Sequence, residues 1–273
     1  MRNVRMNAVE EQLGHTFKNR LHAEALASFK GREFQRLEFL GDPVLEHHVA
    51  VEAVMAGAAT ASELNETITS KTSDAALNDV ALSAGLAVLV PDHFPDDRPG
   101  DLMEAIAGAL YLERGIAGSE WLAHEVGLIA PRHPPVLSPS AAAPEQWVVA
   151  AVHQALGWTF RHPEWISHAL REGEDRRVLA LLGSNLIELA ACDDAFRVRP
   201  DWSAYELTRR ESQTRKTERI VGIIPMLGLS DTAGSGDGDA YDAIRALLGV
   251  TTIDGGANAG LSAARRALHL AGA

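Results

Sequence analysis

The second half of this chain repeats the pattern of the first half, so its fold has to contain two copies of one structure. The offset between matching segments stays between 138 and 144 residues. A repeat of this length, used twice, indicates two copies of a domain, and two related copies can pair as a two-fold homodimer would. The matching segments are 13–17 with 156–160, 25–26 with 169–170, 40–42 with 182–184, 85–86 with 228–229 and 105–106 with 243–244.

Apolar residues recur at one-turn spacing throughout both copies, and no stretch alternates over a strand's length, which predicts an all-α protein. We expect one helix from Ser62 to Gly85, a loop over 91–100 and a further helix beginning at Asp101. Residues 130–146 are rich in proline and serine, which is typical of an extended linker. The predicted domains are therefore 1–129 and 147–273, joined by this linker.

The composition is that of a globular protein, with 46% hydrophobic and 23% charged residues. The single cysteine, Cys192, excludes an internal disulfide, and no signal peptide or membrane-spanning run is visible. These features predict a cytoplasmic protein without a membrane segment. The net charge of −12, concentrated in the first half, at face value argues against nucleic-acid binding. Some of those acids would be neutralised if they held metal ions.

Four acidic residues of the first copy lie at helical spacings. Glu38 and Asp42 are four residues apart, and Asp101 and Glu104 are three apart, so each pair shares one helix face. One interpretation is that the first pair flanks a core helix and points at water. The other is that the two faces converge into an all-oxygen site for Mg²⁺, which would relieve the repulsion between the carboxylates.

Residues 36–42 (Arg-Leu-Glu-Phe-Leu-Gly-Asp) resemble the signature helix of the ribonuclease III family, and residues 101–112 resemble its second acidic helix. The resemblance implies that Glu38, Asp42, Asp101 and Glu104 are both the catalytic residues and the metal ligands. It implies Mg²⁺, with Mn²⁺ as a substitute, and hydrolysis of phosphodiesters in double-stranded or structured RNA by activated water. It also implies dimeric pairing, in which Phe39 and its counterpart Leu181 lie at the domain interface; an ordinary core phenylalanine is the alternative.

The second copy has lost part of this acidic set. Ala180 stands for Glu38 and Ser184 for Asp42, while Asp239 and Asp242 are retained in the other helix. We therefore expect two ribonuclease III-like domains packed as an intramolecular pseudo-dimer, with one active site per chain. Whether whole chains associate further is left open by the sequence.

Several features weaken the enzyme interpretation. Gln35 stands where the family often has glutamate, Pro43 lies inside the signature helix, and a C-terminal double-stranded RNA-binding domain is not visible. Basic residues of the second copy could supply RNA affinity, although acids between them also fit an ordinary solvated helix face. The main candidates are Arg209, Arg210, Arg215, Lys216 and Arg219, with Arg176, Arg177, Arg197 and Arg199 as weaker ones.

Three functions are compatible with these observations. The first is an Mg²⁺-dependent endoribonuclease with one active site in a tandem pseudo-dimer. The second is a catalytically inactive RNA-binding or protein-interaction module that has kept the fold. The third is a helical scaffold without an RNA role. The four retained acids favour the first, because clustered carboxylates without catalysis are only a cost to stability.

Overall fold

The computed structural model describes residues 2–90, 99–130, 142–215, 220–229 and 237–272, and this part of the chain is helical without any strand, as predicted. Within the described residues, the first half contains a short 3₁₀ helix, Leu86–Leu89, and seven α-helices: α1 (Arg2–Leu13), α2 (Arg20–Ser28), α3 (Arg32–Met55), α4 (Ala61–Thr72), α5 (Asp74–Ser83), α6 (Pro99–Arg114) and α7 (Ile116–Glu125). The second half contains α8 (Gln146–Leu156), α9 (Glu164–Leu170), α10 (Glu174–Val198), α11 (Ala204–Thr214), α12 (Ile223–Met226), α13 (Asp237–Gly255) and α14 (Ala257–Leu270). No described helix is long and apolar enough to cross a membrane.

The helix order of the first half recurs in the second, down to single hydrogen bonds. Glu113 near the end of α6 accepts a hydrogen bond from the backbone N–H of Asn19, at 2.9 Å. Asp254 near the end of α13 accepts one from the backbone N–H of His162, at 3.0 Å. Gly115 and Gly256, with φ of 67° and 84°, precede the last helix of each half. The repeat seen in the sequence is therefore also a repeat of helices and turns.

Two helix boundaries differ from the sequence-based expectation. The predicted helix from Ser62 to Gly85 is broken at Ser73, whose hydroxyl accepts from the N–H of Ala76 and caps α5. The second acidic helix begins at Pro99 and not at Asp101, because proline is well suited to the first position of a helix. Pro43 lies inside α3 without ending it. Of the loop expected over 91–100, residues 91–98 lie outside the described residues and residues 99–100 belong to α6. Most of the predicted linker, 131–141, also lies outside the described residues.

The chain divides into two compact units that are interleaved in sequence. Unit 1 contains residues 1–49, 68–131 and 195–209, and unit 2 contains residues 50–67, 132–194 and 210–273. The core of unit 1 includes Leu37, Leu40, Leu45, Leu102, Ile106 and Leu110, and that of unit 2 includes Leu182, Leu186, Leu189, Ile244, Leu247 and Leu248. Both sets come from the long helices that carry the predicted acidic positions and their counterparts. The predicted domain boundaries stay a prediction.

Within unit 1, Arg36 of α3 is buried against the end of α10, with 1% of its surface exposed. Its guanidinium donates to the carbonyl oxygens of Phe196 (3.1 Å), Arg199 (3.0 Å) and Trp202 (2.6 Å), and it lies 4.4 Å from the centroid of the Phe196 ring. The last carbonyls of a helix have no partner within the helix, and cations are favoured at that end. Arg36 therefore fixes residues 196–202 to the signature helix.

Close contacts between the backbones of two helices occur in each unit. In unit 1, a Cβ on Gly41 of α3 would overlap the carbonyl oxygen of Glu104 on α6, and one on Gly108 would overlap that of Leu37. Only glycine permits backbones to approach this closely. The contact sets the spacing between the two helices that carry the predicted acidic residues.

Candidate metal centre

Three of the four predicted acids meet in unit 1. Glu38 of α3 and Asp101 and Glu104 of α6 each present a carboxylate oxygen, and the three oxygens lie within 4.8 Å of one another. All three side chains are half-buried. Asp101 and Glu104 share a face because they are three residues apart on one helix. The close contact between Gly41 and Glu104 brings the Glu38 face of α3 against that face.

Burial and surrounding negative charges raise the pKa of the Glu104 carboxyl to about 9. Burial is the largest cause, and the charges of Asp42, Glu38, Asp101 and Asp74 follow in that order. A carboxyl with such a pKa holds its proton at neutral pH unless a cation lies near it. The cluster is therefore a site at which added positive charge would be strongly stabilised.

Asp42 and Asp74 lie outside the group of three but act on it. Both side chains are exposed, and the charge of each raises the pKa of Glu104. The role of Asp42 as a direct ligand stays a prediction, and its charge acts on Glu104 from an exposed position. Asp74, the first residue of α5, was missed. The signal that could have indicated it is Ser73-Asp74, because serine followed by an acid is typical of a helix start.

The arrangement fits a divalent cation bound by oxygen. Two oxygens on opposite sides of Mg²⁺ are about 4.2 Å apart, because each lies about 2.1 Å from the ion, and larger cations separate them further. The three carboxylate oxygens lie within 4.8 Å of one another, so small side-chain movements would be enough for them to share one cation. Hard divalent cations also prefer carboxylate oxygen to nitrogen or sulfur. Glu38, Asp101 and Glu104 could therefore hold a metal ion.

In unit 2 the helix contacts correct the register that the sequence repeat suggested. A Cβ on Gly183 of α10 would overlap the carbonyl oxygen of Arg245, and one on Gly249 of α13 would overlap that of Leu179. These contacts match those of Gly41 with Glu104 and of Gly108 with Leu37. Arg245 is therefore the counterpart of Glu104, and Asp242, three residues earlier, is that of Asp101.

The earlier pairing of residues 105–106 with 243–244 was wrong by one helical turn. Residues 246–247, Ala-Leu, are equally apolar and take that place. Asp239, expected to retain an acidic position, instead makes an ion pair with Arg176 at 3.2 Å. The second copy thus keeps one carboxylate of the four, and not two.

The predicted basic residues are only partly available to a nucleic acid. Arg209 is exposed and Arg210 half-buried on α11, while Arg215 makes ion pairs with Glu188 at 2.8 Å and with Glu211. Lys216 and Arg219 lie outside the described residues. Phe39 and Leu181 are each half-buried at matching positions of α3 and α10, and Gln35 is exposed. An interface role for Phe39 and Leu181 remains a prediction.

The fold is all-α and ribonuclease III-like, as comparison with solved structures shows. The crystal structure of Dicer from Giardia intestinalis matches with a TM-score of 0.63 and 13% identity, over 87% of this chain and 55% of that chain. A Giardia Dicer structure refined against twinned data matches with a TM-score of 0.62 and 14% identity, over 86% and 54%. The chain spans about half the length of these structures. No family model and no curated protein matches the sequence.

Proposed function

We propose that this protein is a metal-dependent endoribonuclease that hydrolyses phosphodiesters of double-stranded or structured RNA. The observation that carries the proposal is the convergence of Glu38, Asp101 and Glu104 from two helices to within 4.8 Å. If these acids only pointed into solvent, nothing would bring carboxylates of two different helices close together. Clustered carboxylates lower the stability of a fold unless a cation lies between them. A role as metal ligands would explain why the chain keeps them despite this loss of stability.

The cation in this proposal is Mg²⁺, with Mn²⁺ able to replace it. Glu38, Asp101 and Glu104 hold it, and Asp42 completes the acidic surroundings from the exposed side. A bound Mg²⁺ supplies Lewis-acid activation of water and neutralises charge that develops on the phosphate during hydrolysis. To act as a ligand Glu104 would have to release its proton, because metal ligands have to be deprotonated. Without the cation, the carboxylates repel an RNA phosphate, so cation and RNA binding are coupled.

The two sequence copies pair within one chain in this proposal, as a pseudo-symmetric dimer. Two contacts at equivalent positions support the pairing. In unit 1, Arg32 at the start of α3 donates to the carbonyl of Asp201, beyond α10, at 3.0 Å. In unit 2, Glu174 at the start of α10 accepts from the N–H of Ala61, beyond α3, at 2.8 Å. The start of α3 thus contacts the segment that follows α10, and the start of α10 contacts the segment that follows α3. A two-fold relation between the copies requires such a matching pair of contacts.

One active site per chain leads to a particular cleavage pattern. The second copy has Ala180, Ser184 and Arg245 where the first has Glu38, Asp42 and Glu104, so it lacks a ligand set for a divalent cation. A single chain is expected to cut one strand of an RNA duplex. Denaturing gels of a duplex labelled on each strand in turn should show nicks. Paired cuts with short 3′ overhangs from a monomeric chain would contradict this pattern.

A cleavage assay tests the activity itself. Wild-type protein is incubated with labelled duplex RNA in Mg²⁺, Mn²⁺ or EDTA, beside Glu104→Gln and a matched control, Glu125→Gln. Glu125 is exposed at the end of α7 and lies outside the cluster. We expect Glu104→Gln to lower the rate by at least about a hundredfold, and Glu125→Gln to leave it unchanged. A wild type that is inactive in both metals would refute the proposal.

An inactive RNA-binding module is the alternative function. The exposed position of Asp42 and the loss of acids from the second copy favour it. Ca²⁺ occupies oxygen sites with a different geometry, so binding can be followed in Ca²⁺ separately from cleavage. A gel shift without cleavage in Mg²⁺ or Mn²⁺ would support this alternative, and neither shift nor cleavage would support a helical scaffold.

A further inference from the structure

We propose that the second copy carries an anion site, centred on the guanidinium of Arg245, which binds a backbone phosphate of the RNA in place of a metal ion. This inference rests on the proposed function for the identity of its ligand. Its structural basis is independent of that function. The glycine contacts of Gly183 and Gly249 assign Arg245 to the position that Glu104 occupies in the first copy.

Exchanging Glu104 for Arg245 changes the chemistry of an otherwise repeated helix pair. The four acids of the first copy correspond to Ala180, Ser184, Asp242 and Arg245 in the second. The formal charge at these positions therefore changes from four negative charges to zero. A divalent cation does not fit such a set, because one carboxylate remains and a guanidinium occupies the place of another. A phosphate can therefore approach these positions without a metal ion to offset repulsion from carboxylates.

Contacts hold the Arg245 side chain in one orientation. Its Nη2 donates to the carboxylate of Asp242, one turn earlier on α13, and its guanidinium carbon lies 4.4 Å from the centroid of the Tyr241 ring. Stacking on an aromatic ring and pairing with a carboxylate both restrict a long side chain that would otherwise lose entropy on binding. Arg245 is therefore prepared to bind before any ligand arrives.

Part of the guanidinium remains available for a ligand. Arg245 Nε is buried and has no hydrogen-bond partner, and among the described residues Asp242 is the acceptor that the guanidinium contacts. The side chain retains 21% exposure. A guanidinium has five N–H donors whose fork matches two phosphate oxygens. Because Nε is buried, a ligand has to reach the exposed edge of the guanidinium, and the chemistry of that edge favours an anionic oxygen, which in a duplex belongs to the phosphodiester.

A binding titration in Ca²⁺ tests the site with an RNA duplex of about 20 base pairs as the probe. Fluorescence anisotropy is measured at several salt concentrations for the wild type, Arg245→Gln, Arg245→Lys and Asp242→Asn. Arg245→Gln should weaken binding about tenfold and reduce the slope of log affinity against log salt by about one. Arg245→Lys should restore the slope, because the charge is kept, but only part of the affinity.

Asp242→Asn separates a ligand site from a structural ion pair. Asp242→Asn removes a negative charge that repels the phosphate, while the Tyr241 ring still orients the guanidinium, so binding should become severalfold tighter, opposite in sign to the effect of Arg245→Gln. A structural pair predicts lower thermal stability in both variants and an unchanged salt slope in both. That result would overturn the proposal.

Arg161→Gln is the matched control for charge. Arg161 is exposed, and its backbone N–H donates to Asp254 at 2.9 Å, about 13 Å along α13 from Arg245. The substitution Arg161→Gln removes one positive charge from unit 2, as Arg245→Gln does, and it should leave the slope of log affinity against log salt unchanged. An equal loss in Arg161→Gln and Arg245→Gln would indicate general electrostatic attraction and contradict a defined site.

The outcomes also separate this inference from the proposed nuclease activity. If RNA is bound through Arg245 but never cleaved, the anion site stands and the nuclease proposal fails. If RNA is cleaved and Arg245→Gln binds like the wild type, the nuclease proposal stands and the anion site fails. If the wild type binds no duplex in Ca²⁺, the anion site is refuted, and the cleavage assay still decides on the activity.

Discussion

Gly41 lies directly against the carbonyl oxygen of Glu104, so closely that a Cβ on this glycine would overlap it. The contact links α3 to α6 through backbone atoms, one turn from the carboxylates that converge. The side chain of Glu104 therefore reaches Glu38 because of a residue that has no side chain. Stability and cation binding should both depend on this glycine.

Gly41→Ala should lower the free energy of unfolding by about 3 kcal/mol or more, because the helices have to separate, and lower the Tm by on the order of 10 °C. Gly183→Ala should cost a similar amount through the matching contact with Arg245. Only Gly41→Ala should also weaken Mn²⁺ binding. Thermal melts and Mn²⁺ titrations measure both effects. Gly238→Ala, where a Cβ would meet open space, is the control and should melt like the wild type.

The stability of the metal-free protein should fall as the pH rises from about 5 to 9. An ordinary glutamate titrates at 4.5, whereas the pKa of Glu104 in the folded protein is about 9. Between these values the folded state holds a proton that the unfolded state has released, so raising the pH favours unfolding. Glu104→Gln imitates the protonated acid and should flatten the profile. Melts in EDTA measure it, and parallel profiles for Glu104→Gln, Glu125→Gln and the wild type would contradict this explanation.

Asp74 should contribute to cation binding without being one of the three convergent ligands. Its charge raises the pKa of Glu104, so Asp74→Asn should lower that pKa. The loss of one negative charge should also weaken Mn²⁺ binding by about twofold to fivefold at low salt, with a smaller effect at high salt. Asp79→Asn is the matched control, since Asp79 is exposed on the same helix. Equal effects of the two substitutions would show that only total charge matters.

Arg36→Lys should destabilise the protein strongly although it keeps the charge. A lysine ammonium cannot reproduce the planar fork that reaches the carbonyls of Phe196, Arg199 and Trp202, so at least one of them loses its partner. We expect a loss of about 2–4 kcal/mol in denaturant unfolding. Arg20→Lys keeps the charge of an arginine that is 53% exposed in its ion pair with Glu10, and it should cost less than about 1 kcal/mol. Similar losses in both variants would refute this view of Arg36.

Helical spacing was sufficient for the all-α fold and for placing each acidic pair on one helix face, whereas the convergence of the two faces was implied only by the resemblance to a family. It was insufficient at Ser73, where Leu64, Ile68 and Leu77 continue an apolar face across a break that the capping hydroxyl creates. It also misplaced the register of the second copy, because residues 243–244 and 246–247 are both apolar pairs. The helix contacts that distinguish them involve backbone atoms, which no side-chain pattern reports.

The position of Asp42 and the role of Arg36 were beyond sequence reasoning for a different reason. Helical spacing places Asp42 on the Glu38 face, but its distance from α6 depends on how α3 and α6 approach each other. Arg36 looks like a surface residue in the sequence and is buried by residues 160 or more positions away. Such burial becomes visible only when the segments that supply the carbonyls are in place.

The glycine contacts explain how one architecture can tolerate opposite chemistries in its two halves. Since main-chain atoms set the distance between the paired helices, neither acid nor base at the neighbouring positions is required to keep them together. The side chains at the acidic positions of one half can therefore change during evolution while the packing of its two long helices is kept. Restoring carboxylates at 180, 184 and 245 should then give unit 2 an acidic cluster like that of unit 1.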